Sequence, residues 1–513
     1  MLNSVGWLRE TPRTRWTRSS LPPVDSGCIG ADALDLESLF VMKMIEMSHV
    51  SLFALAVCLL TPLQVFASEM TMIDESNLIR TTFELAIPGP APDDSAGGLV
   101  AADLDGSGTP DLLITHRGHI AAYRSNGEAL WTKAADIQVT GQSESKGLPG
   151  HNGPGIAAGD VNADGRAEVI YLTRDSLLHV VDAATGTPIS TAKPPVPEGA
   201  ERWEVAMVAD FRGTGGDTDI LLQATNAEGY RTGRFLAAYR FDALIAGGEP
   251  MWSIDDFKSC AHNSARLADI DQDGRDEVLG ETILDHDGTV LVAAAEYEGH
   301  MDSVFAADVV PQMKGLEVLL LEEGSNHVQV LGQNGVIWRE ANTNRQGRGR
   351  EPQNAAVGRF MAASDEVFIW CRSRHQKHQT PFVFNSDGRM VAAYEMDHKK
   401  PVDWTDSGVE VIHTIDWTGA TQQLACATER HKRGDVCVFE PLTGNFLIRI
   451  PQRCDRLYVA DVQGDWREEI VVLSGNEMSI YRNVATNPRP GQPRLWQSRN
   501  YRRLKQCHNY YSP

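Results

Sequence analysis

The amino-acid sequence predicts an all-β fold, a β-propeller of eight four-stranded blades that carry calcium loops. Two observations support this prediction. An Asp-rich segment recurs along the chain at intervals of roughly 40 to 60 residues, and a turn rich in Gly with Asp or Asn falls between successive copies. Long helical patterns and linkers rich in Pro or Ser do not interrupt residues 68–513, so a single propeller domain is favoured over tandem β-sandwiches.

Three copies of the Asp-rich segment match closely, and each is followed by a β-prone run. They start at Asp103, Asp160 and Asp269, and weaker copies start at Asp210, Asp308, Asp416 and Asp461, with another around 358–366. The intervening turns fall at 125–127, 182–186, 247–248, 285–288, 333–335, 386–388 and 441–444. Asn-Gly and Asp-Gly between apolar stretches favour tight hairpins, so each unit is predicted to contain about four antiparallel strands.

The three intact segments place oxygen-bearing side chains at positions 1, 3, 5 and 9 and glycine at position 6. Calcium takes about six to eight oxygen ligands, and closely spaced carboxylates repel one another without a cation. We therefore expect Ca²⁺ ligands in these loops, namely Asp103, Asp105, Ser107 and Asp111; Asp160, Asn162, Asp164 and Glu168; Asp269, Asp271, Asp273 and Glu277. The acid at position 9 and the flanking strands exclude an EF-hand, and ordinary Asp-Gly turns are the alternative interpretation.

The N-terminal region has the order of a secretory signal peptide. Met42-Lys43 precedes an apolar run, and small residues stand at the cleavage positions that end at Ala67. The run is shorter than the roughly 20 apolar residues that span a bilayer. The sequence therefore predicts a signal peptide at 42–67, a dispensable or wrongly assigned leader at 1–41, and export to the periplasm or the extracellular space. A buried helix or an uncleaved anchor is the alternative.

The formal net charge of −22 is unevenly distributed. Residues 68–340 carry 18 Lys and Arg against 44 Asp and Glu, whereas residues 341–513 carry 24 against 19. The basic C-terminal part suits an anionic ligand, with a solvated surface as the alternative. The acidic part and the predicted export argue against nucleic-acid binding. Cys426 and Cys437 flank a turn-like segment, which leaves a disulfide across a hairpin and unpaired thiols as equal alternatives.

Several longer strings resemble, in order, the rhamnogalacturonan lyases of polysaccharide lyase family 11. The strings are His262 followed by the 269–277 loop and Gly280, Gly299-His300-Met301-Asp302, 315–318, and the Gly-Asp-Trp-Arg-Glu-Glu core of 461–469. The resemblance covers roughly residues 150–513. Broader Asp-rich repeats of the FG-GAP and VCBS type share the calcium loops alone. Met301 stands where the family usually has glycine, and Arg453 stands at a lysine position.

The resemblance implies an eight-bladed, calcium-containing propeller that cuts pectic polysaccharide by β-elimination. It also implies catalytic roles for His262, His300, Arg350 (or Arg348), Arg453 and Tyr510. The arginines would hold the uronate carboxylate, a histidine would take the C5 proton, and Tyr510 would bind sugar or transfer a proton. The expected partner is an acidic, pectic polysaccharide or another glycan, and the protein is expected to be a monomer with no stable membrane span.

Two other functions remain open at this point. A non-catalytic propeller for carbohydrate binding or adhesion is suggested by the altered motif positions and by the lack, before about residue 95, of the family's long N-terminal β-domain. A quinone-dependent dehydrogenase propeller is less favoured, because no tryptophan-docking repeat is evident in register among the 11 tryptophans.

Overall fold

The computed structural model describes residues 77–87, 98–116, 118–137, 155–227, 233–260, 264–293, 301–341, 350–373, 379–430 and 434–507. The chain divides into two compact units, 1–71 and 72–513, and all described residues belong to the second. The predictions for 1–41 and 42–67 lie outside the described residues. None of the helices in the described part is long and apolar enough to cross a membrane.

Within the described residues, thirty-two strands form eight four-stranded antiparallel sheets, which confirms the predicted propeller. The first of these strands is β1 (Leu78–Glu84). Blade 1 contains β2 (Gly98–Ala102), β3 (Asp111–His116), β4 (His119–Tyr123) and β5 (Ala129–Ala134). Blade 2 contains β6 (Ile156–Gly159), β7 (Glu168–Leu172), β8 (Leu178–Asp182) and β9 (Pro188–Ala192). Blade 3 contains β10 (Ala200–Ala209), β11 (Asp219–Asn226), β12 (Phe235–Arg240) and β13 (Trp252–Ile254). Blade 4 contains β14 (Arg266–Ala268), β15 (Glu277–Leu279), β16 (Ile283–Leu284) and β17 (Val290–Val292).

The second half of the ring repeats this arrangement. Blade 5 contains β18 (Met301–Ala307), β19 (Glu317–Glu322), β20 (His327–Gly332) and β21 (Gly335–Ala341). Blade 6 contains β22 (Pro352–Gly358), β23 (Phe368–Ser373), β24 (Phe382–Asn385) and β25 (Met390–Ala393). Blade 7 contains β26 (Val409–Ile415), β27 (Leu424–Glu429), β28 (Val436–Phe439) and β29 (Phe446–Ile450). Blade 8 contains β30 (Arg456–Ala460), β31 (Glu469–Ser474), β32 (Glu477–Asn483) and, as its fourth strand, β1.

The helices are short. They are α1 (Phe241–Ile245) and α2 (Arg499–Gln506), with 3₁₀ turns at Met396–His398 and Leu495–Gln497. First strands of neighbouring blades contact one another, so they form the inner wall of a central channel. Because successive strands run antiparallel, the loops after the first strands and the turns after the third strands lie on one face, here called the loop face. The blade-to-blade connections and the turns after the second strands lie on the other, the mouth face.

All eight predicted Asp-rich segments connect the first and second strands of a blade, and all seven predicted turns connect the third and fourth strands. The core consists of apolar layers between blades, since seven buried clusters each draw residues from two neighbouring blades. The first strands are therefore buried on both faces, whereas outer strands such as β1 and β9 are largely exposed. Each fully buried Val, Leu or Ile contributes about 1.5–3 kcal/mol.

A repeated aromatic contact joins the blades. An aromatic side chain on or just after a fourth strand packs on a glycine of positive φ in the next blade's turn, where a Cβ would collide with the ring; the pairs are Phe83–Gly127, Trp131–Gly186, Trp252–Gly288, Trp338–Gly388 and Tyr394–Gly444. The three tryptophans each donate an indole N–H to a carbonyl of that turn. The expectation that no tryptophan docking recurs is therefore wrong. Unequal blade lengths and the exchange of Trp for Phe or Tyr hide the repeat in the sequence.

The predicted alternatives for the cysteines are resolved in favour of thiols. All six cysteines from Cys260 to Cys507 are free and buried within the described part. Cys426 pairs with Val438 and Cys437 pairs with Ala427, so the Cys426 and Cys437 side chains point to opposite sides of blade 7. A disulfide between these two residues is excluded by this register.

Candidate functional site

The aspartate at position 1 holds each intact loop in shape by accepting backbone hydrogen bonds. The N–H of the glycine at position 6 donates to its Oδ2, at 2.9 Å for Asp103, 2.9 Å for Asp160 and 3.1 Å for Asp269. The three glycines have φ between +77° and +89°, a conformation that other residues adopt only with strain. The glycine is therefore required by the turn itself.

The acid at position 9 begins the second strand and closes the loop. One oxygen of Asp111, Glu168 and Glu277 accepts the N–H of loop position 2, at 3.2, 3.1 and 2.7 Å. Burial raises the pKa of these carboxyls, to about 6 for Asp111, about 7 for Glu168 and about 9 for Glu277. A buried carboxyl with a raised pKa is stabilised by a proton or by a cation.

The loops of blades 1 and 4 gather carboxylates as a calcium site requires. The ligand atoms of Asp103, Asp105 and Asp111 lie within 4.8 Å of one another, and so do those of Asp269, Asp271 and Asp273. Oδ1 of Asp103 and Oε1 of Glu277 are buried with no hydrogen-bond partner in the described part. These donors are all hard oxygens, so the residues present fit Ca²⁺.

The other predicted ligands are placed differently. In blade 1, Ser107 donates to the Thr109 carbonyl at 3.3 Å, and Arg124 pairs with Asp105 at 2.9 Å. In blade 2, the Asn162 amide donates to Glu168 at 2.7 Å and the N–H of Asp164 donates to Asp160. Nothing in the structure tests ion binding, and the twelve ligands remain predictions.

In the weaker loops of blades 3 and 8, an arginine side chain pairs with a loop acid. In blade 3, Arg212 Nε lies 2.7 Å from the buried Asp219 carboxylate at the start of the second strand. In blade 8, Arg467 pairs with Asp465 at 2.8 Å. Trp466, which stands at position 6 with a φ of +65°, donates its N–H to Asp461 at 3.1 Å, while Gly464 donates a second N–H. The guanidinium supplies positive charge beside the acids of these two loops.

The predicted catalytic residues His262, His300, Tyr510 and Arg348 lie outside the described residues. Arg350 and Arg453 both belong to blade-to-blade connections on the mouth face. The Arg350 guanidinium lies 5.5 Å from the ring centroid of Phe382, over the outer part of blade 6. Arg453 pairs with Asp455 at 3.0 Å, immediately before the first strand of blade 8. The two arginines thus share a face, and each lies two or three residues before the first strand of a blade.

A buried polar network on the mouth face connects the inner ends of blades 5, 6 and 7. We call it the mouth network, and its members are Asp302, Glu323, Gln353, Arg372, Glu410 and Arg430. Arg372 contacts Glu410 at 2.9 Å and Gln353 at 2.7 Å. Gln353 donates to Glu323 at 3.4 Å, and Arg430 lies 3.8 Å from Glu410. Ionised groups are rarely buried unless they are paired, so this cluster distinguishes the mouth face.

Asp302 and Glu323 form a carboxyl pair within the mouth network. Burial raises the pKa of Asp302 to about 9, and the hydrogen bond with Glu323 and its negative charge add to this rise against the effect of Arg372. The pair therefore retains one proton at neutral pH.

Sequence reasoning did not select these residues, although signals were present. Asp302 lies inside the quoted 299–302 string, and Glu322-Glu323 ends an otherwise apolar strand. Arg372 and Glu410, by contrast, are isolated charges in β-prone runs. Only the ring geometry brings them together.

The C-terminal helix α2 enters the central channel from the loop face. Arg499 donates to the Gly274 carbonyl at 2.6 Å, and Arg503 contacts Asp276 at 3.1 Å and Asp217 at 2.6 Å. Beyond the helix, Cys507 contacts Met207 on the inner wall. A cavity of about 400 Å³ remains between α2 and the inner strands of blades 5 to 7. The helix therefore narrows the channel and ties together the loops of blades 3 and 4.

Comparison with known proteins decides the family. The model of the rhamnogalacturonan lyase family 11 C-terminal domain matches residues 222–503, which is more than half of the chain. The chain belongs to rhamnogalacturonan lyase family 11. An FG-GAP-like repeat model also matches residues 103–171, which contain the loops of blades 1 and 2. Both resemblances expected from the sequence are confirmed.

Two curated relatives come from Bacillus subtilis (strain 168). The chain is 25% identical over 437 residues to the rhamnogalacturonan exolyase YesX, covering 74% of this chain and 69% of the relative. It is 26% identical over 284 residues to the rhamnogalacturonan endolyase YesW, covering 45% of this chain and 44% of that relative. Among solved structures, Saccharomyces cerevisiae Sqt1 aligns with a TM-score of 0.50 at 10% identity over 79% of this chain and 100% of its own, which supports the fold alone.

Proposed function

We propose that this protein is an exported lyase that cleaves galacturonate-containing pectic polysaccharide by β-elimination at its mouth face. Membership of rhamnogalacturonan lyase family 11 is the observation that carries the proposal. The mouth network supports the choice of face, because it concentrates buried acids and arginines beside the 299–302 string. The preferred substrate class is the rhamnogalacturonan backbone.

The reaction makes three demands on the residues of this face. The uronate carboxylate must be neutralised so that the neighbouring C5 proton becomes acidic, a base must remove that proton, and the departing O4 oxygen must be stabilised. We assign carboxylate binding to Arg453, with Arg350 in support, proton removal to His262 or His300, and sugar binding or proton donation to Tyr510. The C5–H bond breaks, the C4–C5 double bond forms, and the C4–O4 bond releases the leaving sugar.

The mouth network has a positioning role in this proposal. Asp302 lies two residues after His300 on the inner strand of blade 5, so its pairing with Glu323 fixes the strand that follows the histidine. Arg372 holds Glu410 and Gln353 from blades 7 and 6 in the same network. Three blades are thereby connected at the place where the substrate would bind.

Calcium has a separate, structural role in the proposal. The loops of blades 1, 2 and 4 would hold it through the twelve predicted ligands, and the bound ion supplies positive charge to carboxylates that otherwise repel. The loop-face acids keep the first and second strands of each blade in register. Removing the ion is expected to lower thermal stability whether or not substrate is present.

A second function is favoured by one specific observation. Arg453 is already paired with Asp455, whose side chain is fully buried, and that pairing reduces the charge available to a uronate. A propeller that binds acidic glycan at the mouth face without cleaving it is consistent with this contact. The two functions differ in product formation and share the binding surface.

The test uses purified residues 68–513 with calcium and a panel of polyuronates that includes rhamnogalacturonan I. Elimination creates an unsaturated uronate, which is followed by its ultraviolet absorbance. The lyase predicts a rise that Arg453→Ala suppresses by roughly 10²-fold or more, the scale on which loss of one charge-stabilising group acts. The control is Arg240→Ala, which removes an exposed ion pair with Asp242 on the loop face and should retain activity. Binding with no absorbance change on any substrate would establish the non-catalytic function instead.

A further inference from the structure

Blade 4 contains a second cluster of metal-ligating side chains, separate from its aspartate triad. The ligand atoms of Glu277, Asp285 and His286 lie within 4.8 Å of one another. Glu277 begins the second strand, whereas Asp285 and His286 lie in the turn after the third strand. The cluster therefore bridges two segments of the same blade on the loop face.

The Glu277 carboxyl indicates that this cluster receives a ligand. Its side chain is almost completely buried, with 2% exposure, and Oε2 accepts the N–H of Ile270 at 2.7 Å. Its second oxygen, Oε1, is buried without a hydrogen-bond partner in the described part. In blade 1 the position-9 acid groups with the loop aspartates, but in blade 4 it groups with Asp285 and His286. A buried, unmatched carboxylate oxygen is costly unless a proton or cation occupies the space beside it.

Glu277 is also a predicted ligand of the blade 4 calcium loop, and a carboxylate can offer one oxygen to each of two ions. The other donors separate this cluster from that loop. The aspartate triad offers oxygens only, which suits Ca²⁺. The second cluster adds an imidazole, and a set of two carboxylates and one imidazole suits a borderline divalent metal such as Zn²⁺. Ligands about 2 Å from a tetrahedral ion are roughly 3.3 Å apart, so a small contraction of the cluster is sufficient.

We propose that Glu277, Asp285 and His286 form a binding site for a divalent cation such as Zn²⁺, and that the bound ion holds the short strands of blade 4 together. This blade has the shortest strands of the ring, of three, three, two and three residues, and its second and third strands are joined by the single pair Val278–Leu284. A metal ion that links the second strand to the turn after the third strand compensates for the small number of hydrogen bonds between these short strands. The site is independent of the proposed lyase activity.

Arg275 opposes ion binding in this arrangement. Its Nη1 lies 2.7 Å from His286 Nε2, which makes Nε2 the acceptor and leaves Nδ1 facing Asp285 at 2.6 Å. An ion on Nδ1 requires Nε2 to carry the proton, so the guanidinium has to swing away. The Arg275 side chain is 41% exposed and its other ion pair, with Asp273, is at 4.0 Å, so this movement is unobstructed. Removing Arg275 is expected to strengthen binding.

The experiment titrates ZnCl₂ by calorimetry into full-length secreted protein that has been stripped with chelator and returned to excess Ca²⁺. We expect the wild type to bind one more equivalent of zinc than His286→Gln, and Arg275→Gln to bind that equivalent about tenfold more tightly. Zinc should also raise the melting temperature of the wild type more than that of His286→Gln. Asp285→Asn repeats the test if His286→Gln does not fold.

Two matched variants control the assignment. Glu395, Asp397 and His398 offer the same ligand types on an exposed turn, so His398→Gln should leave zinc stoichiometry unchanged. Asp271→Asn should weaken Ca²⁺ binding while keeping the zinc equivalent. Equal zinc stoichiometry in wild type and His286→Gln, or loss of the same equivalent in His398→Gln or Asp271→Asn, would overturn the proposal.

Discussion

The two faces of the ring stabilise buried acids in different ways. On the loop face, Asp160 accepts N–H groups from Asp164 and Gly165, and a backbone loop surrounds the carboxylate. On the mouth face, Glu410 is bound by the arginine side chains of blades 6 and 7, and Asp302 shares a proton with Glu323. The first arrangement depends on local glycine turns and suits a divalent ion. The second depends on partners from three blades and on pH.

Removal of the Arg372 side chain should have the largest effect on the free energy of unfolding, and it tests the mouth face in this comparison. Its guanidinium is completely buried and balances Glu410 while holding Gln353. Arg372→Ala leaves a buried acid without its partner and is expected to cost about 3–5 kcal/mol of unfolding free energy. Urea unfolding measures the change. Arg212→Ala, which removes a partly exposed loop-face arginine, should cost less, and equal losses would remove the distinction between the faces.

Calcium removal should have the next largest effect and acts on the loop face. An ion present at about 100 times its dissociation constant stabilises the folded state by about 2.7 kcal/mol. Chelation should therefore lower the unfolding free energy by about that amount, and Asp271→Asn should abolish part of the response. The control is Arg372→Ala, which should keep a wild-type calcium response. A melting temperature that does not change on chelation would contradict calcium binding in the loops.

Asp302→Asn tests the comparison of the two faces through the pH dependence of folding stability. The folded-state pKa of Asp302 is about 9, far above its ordinary value, so the folded protein binds the extra proton and its stability falls as pH rises towards 9. The neutral asparagine removes this dependence, so the stability of the variant should fall less than that of the wild type between pH 6 and pH 9. Urea unfolding at pH 6 and at pH 9, with protein from which a chelator has removed calcium, measures this difference. The control is Asp175→Asn, which should keep the wild-type pH dependence, because a hydrogen bond from Thr173 lowers rather than raises the pKa of Asp175.

Arg166→Ala should have the smallest effect. Arg166 is 75% exposed and lies 3.6 Å from Asp164 in the blade 2 loop. Exposed pairs of this kind contribute about 0–1 kcal/mol, so we expect a change below about 0.5 kcal/mol in chelated protein. A larger loss would mean that arginines, rather than backbone amides, organise the intact loops.

The repeat pattern predicted the fold almost completely, whereas the mouth network was largely invisible in the sequence. Each Asp-rich loop is a local structure, because Asp103 and Gly108 contact each other across five residues. Arg372 and Glu410 are 38 residues apart and meet only when two blades are packed side by side. The same reason explains the missed interblade aromatics and the choice left open at Cys426 and Cys437, since register decides which face of the sheet each side chain occupies.

The position of β1 in blade 8 also gives the ring an order of assembly. Arg80 hydrogen-bonds Ser479, which is 399 residues later in the chain. During synthesis the first strand has to wait, unpaired, until the ribosome has delivered nearly the whole protein. An unpaired strand edge is prone to adhere to other chains. Closure of the ring therefore has to wait for β32, and it converts an early strand of the nascent chain into the fastening of the finished molecule.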